Sequence, residues 1–205
     1  MDNESKSTRN ALVVVISGPS GVGKDVMIER MIEKGQIGFH FTVTATTRAP
    51  RPGEQAGVNH HFMTVDDFES MIAADELLEW ARVYGNYYGV PKQQVRDALA
   101  SGKHVIMRVD VQGAERLREL IPEALLIYIV PPSLAVLQRH LRKRGVDTES
   151  EMSKRLGAAA EEIERSDFFD FRVMNEEDRL DNTVEQVVAI IEGEAARVPP
   201  RNVSI

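Results

Sequence analysis

The chain has 205 residues, enough for one α/β domain with its own core, and a 42% hydrophobic and 28% charged composition is that of an ordinary globular protein. Its net charge of −7 argues against a nucleic-acid or membrane-surface partner, which needs a basic face. The absence of cysteine excludes disulfides and thiolate metal sites and fits a reducing, cytoplasmic setting; no apolar run approaches the ~20 residues of a membrane span.

In chain order, residues 1–10 read as a polar, disordered lead without a signal-peptide core. The apolar run Leu12–Ser17 predicts a strand. Gly18-Pro19-Ser20-Gly21-Val22-Gly23-Lys24-Asp25 follows, then a helical pattern of Val26, Met27, Arg30, Met31 and Glu33 closed by Gly35. Strand, glycine-rich turn, lysine and helix are the context that a phosphate-binding loop requires. The glycines let several backbone N–H groups converge on one phosphate, the helix N-terminus adds a positive dipole end, and Lys24 supplies a mobile charge. A ligand-free turn is the plain alternative, and the flanking strand and helix argue against it. One position departs from the pattern: Asp25 stands where a Ser or Thr hydroxyl would bind Mg²⁺.

Further strands are predicted at Phe41–Thr46, His104–Val109, Leu125–Val130 and Phe171–Met174. Helices are predicted from Pro91 to Ala100, from Ser133 to Arg144, from a Thr148/Glu151 capping box to about Arg165, and from an Asn182/Glu185 capping box onward. The last carries an apolar stripe of Val184, Val187, Val188 and Ile191. Strands alternating with helices imply an α/β fold with a parallel sheet flanked by helices. Two segments break the alternation: a mostly β insertion over 41–89 and a helical, Arg/Glu-rich lid over 133–166. One domain over 11–195 is expected, its core at 11–40, 90–132 and 167–195, with a tail at 196–205. Mobile insertions beside a phosphate loop suit phosphoryl transfer, because closing them excludes water.

Arg48 and Arg51, three apart in a proline-stiffened segment, offer guanidinium forks for phosphate, or a solvated surface pair. Glu79 and Trp80 with Tyr84, Tyr87 and Tyr88 form an aromatic and acidic cluster suited to a base, sugar or phosphate, or to plain packing. Asp110 ends a parallel strand, where open α/β sheets bind ligands; a helix N-cap is its other reading. Arg139, Arg142, Lys143, Arg144 and Arg155 make either a charged solvated face or a source of arginine fingers.

Taken together these segments resemble the guanylate kinase family. GPSGVGK at 18–24, TTRAPRPGE at 46–54, LLEWARVYGNYYGV at 77–90, VDVQGA at 109–114, RKRG ending at Gly145, KRL at 154–156 and Asn175 occur in family order over residues 11–193. The resemblance implies a P-loop kinase that transfers the γ-phosphoryl group of ATP to GMP, and to dGMP, with Mg²⁺, as a monomer or homodimer. By the same resemblance Gly18, Pro19, Ser20, Gly21, Val22, Gly23, Lys24 and Asp25 hold the ATP phosphates. Asn175 lies near the adenine. Arg48, Arg51, His60 and Tyr88 hold the GMP phosphate, and Thr44, Glu79 and Asp110 hold the guanine. Lys24, Arg48, Arg144 and Arg155 are the implied catalytic cations. The chemistry agrees: guanine presents two adjacent donors and carboxylates only accept, so AMP should be rejected by roughly 10⁴-fold.

Four positions depart from the family pattern. Asp25 replaces Ser/Thr, His60 a phosphate-binding tyrosine, Arg108 an acidic residue two before Asp110, and His140 a lid arginine. Asp25 and Arg108 invite two readings: a carboxylate moved from 108 to 25 to bind Mg²⁺, or a simple ion pair. Two other functions compete. Ribose 1,5-bisphosphate phosphokinases also end their loop in Gly-Lys-Asp, and non-catalytic guanylate kinase-like modules bind protein partners. The intact loop glycines and the guanine-facing acids weigh against both.

Overall fold

Val13–Ser17 (β1) consists of five consecutive buried residues, four of them β-branched aliphatics. Such a run is the mark of a strand covered on both faces. The computed structural model describes residues 10–35, 37–83, 85–143, 149–203 and 205. Arg144, Gly145, Thr148, Tyr84 and nearly all of the expected polar lead lie outside them.

After β1 come α1 (Lys24–Lys34), β2 (Phe39–Phe41), β3 (Ala45–Thr46), β4 (His61–Phe62), α2 (Val65–Ala73), β5 (Leu77–Val83), β6 (Asn86–Pro91), α3 (Lys92–Ala100) and β7 (His104–Arg108). They are followed by α4 (Val111–Leu120), β8 (Leu125–Val130), α5 (Leu134–Lys143), α6 (Glu149–Glu164), a 3-10 turn (Arg165–Phe168), β9 (Phe171–Met174) and α7 (Leu180–Ala195).

The main sheet runs β2-β7-β1-β8-β9, and every neighbouring pair is parallel. Side chains alternate between its faces. Val14 and Ile16 face a cluster with Met27, Ile28 and Met31 of α1 and Val184, Val187 and Ile191 of α7. Val13 and Val15 face the other layer, with Val95 of α3 and Val111, Ala114 and Leu117 of α4. Helices therefore cover both faces. The register pairs Ile16 with Arg108 and Ser17 with Tyr128, so β1, β7 and β8 end along one carboxyl edge, where such sheets bind ligands.

A second sheet, β4-β3-β6-β5, stands on the segment between β2 and α3. Its small core is Ala45, Phe68 and Leu77. Phe68 of α2 stacks on Tyr87, with ring centroids 5.1 Å apart.

Two local expectations are corrected. Phe41–Thr46 is not one strand: β2 ends at Phe41 in the main sheet and β3 begins at Ala45 in the second. The chain turns between them because Thr42 Oγ1 donates to Ile106 O at 3.3 Å and Val43 N donates to Gln94 Oε1 at 2.8 Å. Asn182 does not cap the last helix, which starts two residues earlier behind Arg179, with Thr183 N already bonded to Arg179 O. α1 forms where the helical pattern predicts it and is closed by Gly35, with Met27, Ile28 and Met31 buried and Val26 on its exposed face.

Candidate active site

The glycine-rich turn after β1 is braced from behind. Asn175, just past β9, donates from Nδ2 to Val22 O at 2.7 Å and accepts from Thr183 Oγ1 at 3.0 Å. Gly23 has φ 98°, and a Cβ there would lie 2.7 Å from Asn175 Nδ2, so the position needs glycine twice over. Lys24 folds back on its own loop, donating from Nζ to Gly18 O and to Pro19 O, the latter at 3.2 Å. Burial lowers its pKa to about 8, while Asp25 and Glu162 act to raise it. His140 of α5 hydrogen-bonds Gly21 O through Nδ1 at 3.2 Å, with Glu177 3.6 Å from its Nε2. The loop thus touches α5, the helix that also carries Arg139 and Arg142.

Asp25 and Arg108 meet: Arg108 Nη1 donates to Asp25 Oδ1. The ion pair considered from sequence is formed in the free protein. The Asp25 side chain remains half exposed.

A second cluster gathers on β3, β4 and β6. Arg48 makes a two-point pair with Glu54, Nη1 to Oε2 at 2.8 Å and Nη2 to Oε1 at 2.9 Å. That carboxylate, with the Tyr88 hydroxyl beside it, raises the Arg48 pKa. Glu54 in turn is held down to about 2 by Arg48. His60 is buried, and its ring lies 6.1 Å from that of Tyr88. Burial first, then the charges of Arg108 and Arg48, lower the His60 pKa. Its Nδ1 is buried without a hydrogen-bond partner among the described residues. Arg51 is exposed at the edge of this cluster and Thr44 lies beside it, half-buried, its carbonyl accepting from His61 N at 2.9 Å.

Glu79 and Asp110 come together at the N-terminus of α4. Asp110 caps that helix, Oδ1 accepting from Gly113 N at 2.7 Å, so the bland reading of this residue is realised. Glu79 is 8% exposed and pairs with Arg116 one turn further along. A Cβ on Gly113 would lie 3.2 Å from Asp110 Oδ1 and 3.4 Å from Glu79 Oε1; glycine lets the β5 carboxylate approach α4. Burial raises the Glu79 pKa, and Arg116 opposes the rise. Two adjacent carboxylates held by backbone and guanidinium offer acceptors to a ligand with adjacent donors.

Arg155 is a half-buried residue of α6; Arg144 lies outside the described residues. Sequence reasoning missed three residues. Arg116 is the counter-ion of Glu79. Glu54 is the partner of Arg48. Glu162 of α6 has its carboxyl raised by burial and lowered by Lys24. A buried carboxylate demands a cation, but nothing in one sequence says which.

The guanylate kinase family profile matches residues 10–194. The chain belongs to the guanylate kinase family. It is 47% identical over 195 residues to a guanylate kinase 2, chloroplastic/mitochondrial, of Oryza sativa subsp. japonica, covering 95% of this chain and 68% of that one. It is 41% identical over 192 residues to a guanylate kinase of Latilactobacillus sakei, covering 94% of each. Among solved structures, a guanylate kinase from Anaplasma phagocytophilum superposes with a TM-score of 0.73 at 28% identity, covering 92% of this chain and 88% of that one. In this guanylate kinase family chain the departures at 25, 60, 108 and 140 all cluster near the loop or the β3–β6 site. No helix among the described residues is long and apolar enough to cross a membrane.

Proposed function

We propose that the chain transfers the γ-phosphoryl group of ATP to GMP, giving ADP and GDP. The observation that carries this reading is the pairing of Glu79 and Asp110 on one side of the sheet edge, with the Lys24 loop beside it. A base with two adjacent donors suits the carboxylates, and AMP, which lacks that donor pair, would leave unmatched the buried acceptor capacity of Glu79 that Arg116 does not use.

The roles proposed are those that the family resemblance implies. The loop from Gly18 to Lys24 takes the donor phosphates on backbone N–H groups, and Lys24 exchanges its loop carbonyls for phosphate oxygens. Arg48, Arg51, His60 and Tyr88 take the acceptor phosphate; Thr44, Glu79 and Asp110 take the guanine. Asn175 supports the loop on the adenine side, and Arg144 and Arg155 of the 133–166 segment bring charge to the transferring group. The second sheet is then the GMP-binding insertion and α5–α6 the lid. No protein nucleophile is required, because phosphoryl transfer needs in-line positioning and positive charge.

Mg²⁺ fits Asp25. A hard carboxylate follows Lys24 directly at the start of α1, half exposed and bonded through Oδ1 to Arg108. That is the donor set of an ion held by one carboxylate and the nucleotide's phosphates. When bound, Mg²⁺ neutralises the β- and γ-phosphate oxygens.

The rival sugar-bisphosphate reading rests on Asp25 alone and leaves the Glu79–Asp110 pair without a ligand. Incubation with Mg-ATP and GMP, followed by chromatography, should give equal amounts of ADP and GDP. ADP without GDP would contradict the reading.

A further inference from the structure

Arg108 ends β7 in register with Ile16, two residues before β1 gives way to Gly18. Its Nη1 donates to Asp25 Oδ1 at the first turn of α1, and its guanidinium carbon lies 5.8 Å from the ring centroid of Phe41, the last residue of β2. Its side chain is 27% exposed, so the charge is partly sheltered from water. The same charge acts on Lys24 in the donor loop and on His60 in the β3–β6 cluster, lowering both. Arg108 sits at the carboxyl edge of the sheet between the first turn of α1 and the end of β2, and belongs to neither set of residues named above.

The substitutions at 25 and 108 are coupled in charge. The family pattern has a neutral hydroxyl and a carboxylate at these positions; this chain has a carboxylate and a guanidinium. The centre gains one positive charge where two polyanions must meet, in a chain of net charge −7. A guanidinium has five N–H donors, and the hydrogen bond to Asp25 uses one.

We propose that Arg108 is a catalytic residue: Asp25 holds its guanidinium in the gap between the Lys24 loop and the Arg48–His60 cluster, where it contacts oxygens of the transferring phosphoryl group. This rests on the ATP-to-GMP reading. In that step an oxygen of the GMP phosphate forms a bond to the γ-phosphorus while the bond from that phosphorus to the β–γ bridging oxygen breaks. ADP leaves with the electron pair, and no proton passes to the protein. Charge spreads over the three equatorial oxygens, and Arg108 supplies fixed positive charge to them. Asp25 is then a positioning residue, which orients Arg108 with one oxygen.

The test compares the wild type with R108Q, D25N and D25N/R108Q. The probe is adenosine–guanosine pentaphosphate with Mg²⁺, which spans both sites; ADP and GMP are titrated separately by calorimetry. The proposal predicts that R108Q lowers kcat by about 10²–10³-fold, as expected for loss of a transition-state cation. It also predicts that R108Q weakens the pentaphosphate at least about tenfold and ADP and GMP each less than about threefold. The same losses should appear when R108Q is added to D25N, a charge-balanced comparison that serves if R108Q alone does not fold. An R108Q kcat within about threefold of wild type, or recovery of kcat on adding R108Q to D25N, would overturn the proposal, because Arg108 would then only neutralise Asp25. Failure of the wild type to make GDP would instead overturn the underlying reading.

Discussion

Glu54 holds Arg48 by both carboxylate oxygens, at 2.8 and 2.9 Å, beside Tyr88 and the buried His60. A forked pair fixes the plane of the guanidinium, so under the proposed reading Arg48 is oriented before the acceptor phosphate arrives. Replacing Glu54 with Gln should raise the KM for GMP about three- to tenfold with a smaller change in kcat. The pair also has an acid signature. Glu54 sits at about 2 in the folded chain against an ordinary 4.5, so its stabilisation is complete above pH 4.5 and is lost as pH falls toward 2. The difference in Tm between wild type and E54Q should shrink across that window; a constant difference would contradict the pairing.

In the proposed complex Glu79 accepts best from a guanine when ionised, and burial works against that while Arg116 works for it. Removing Arg116 should push the Glu79 pKa further up. R116A should therefore show a KM for GMP that climbs as pH falls, starting from a higher pH than in wild type. E79Q should raise that KM about 10–100-fold and narrow the preference for GMP over IMP, which lacks the 2-amino donor. An unchanged GMP/IMP ratio in E79Q would place the guanine elsewhere.

Lys24 titrates at about 8 in the free protein, against an ordinary 10.5. Between these values the unfolded chain binds more protons than the folded one, so stability rises with pH through that window, and below pH 8 the penalty of burying the charge is fully present. K24M should lose at least about 10³-fold in kcat and yet show a higher Tm at pH 7, with the gain fading by pH 10.5. In the wild type, kcat/KM for ATP should fall with one proton's slope above pH 8. A Tm loss in K24M would show that the fold depends on the lysine's loop contacts.

Asn175 is the brace of the loop, through Val22 O and Thr183 Oγ1. N175A leaves a carbonyl without its donor, a loss of about 1 kcal/mol in stability. It should also raise the KM for ATP about three- to tenfold while the KM for GMP stays within twofold. Equal effects on both substrates would mean the brace serves the whole edge rather than the donor loop.

The main sheet was legible because buried parallel strands advertise themselves. Leu125–Val130 and Phe171–Met174 are the strands that the apolar runs predict, and β1 differs from its run by one residue. The phosphate loop was legible because its glycines follow from φ angles no other residue adopts easily, as at Gly23. The break between β2 and β3 was not, because Val43 is turned by Gln94, 51 positions away. The Asn182 box is a local signal overridden by a turn through Asp178 at φ 59° and the Arg179 cap. Within the candidate site, single residues with a fixed chemistry, such as Lys24 and Glu79, are picked out by the sequence as candidates. Not all of the partners are: the Asp25–Arg108 pair was one of two readings of the sequence, but nothing in it joins Glu79 to Arg116, 37 positions on. Charge complementarity across that distance is set by topology, which composition does not carry.

The most direct test of the account is ADP formation from Mg-ATP with GMP, dGMP, AMP, UMP and ribose 1,5-bisphosphate as acceptors, measured side by side. The account predicts turnover with GMP and dGMP and a kcat/KM for AMP lower by roughly 10⁴-fold. Turnover with the sugar bisphosphate alone, or with no acceptor while the folded chain still binds ATP, would contradict it.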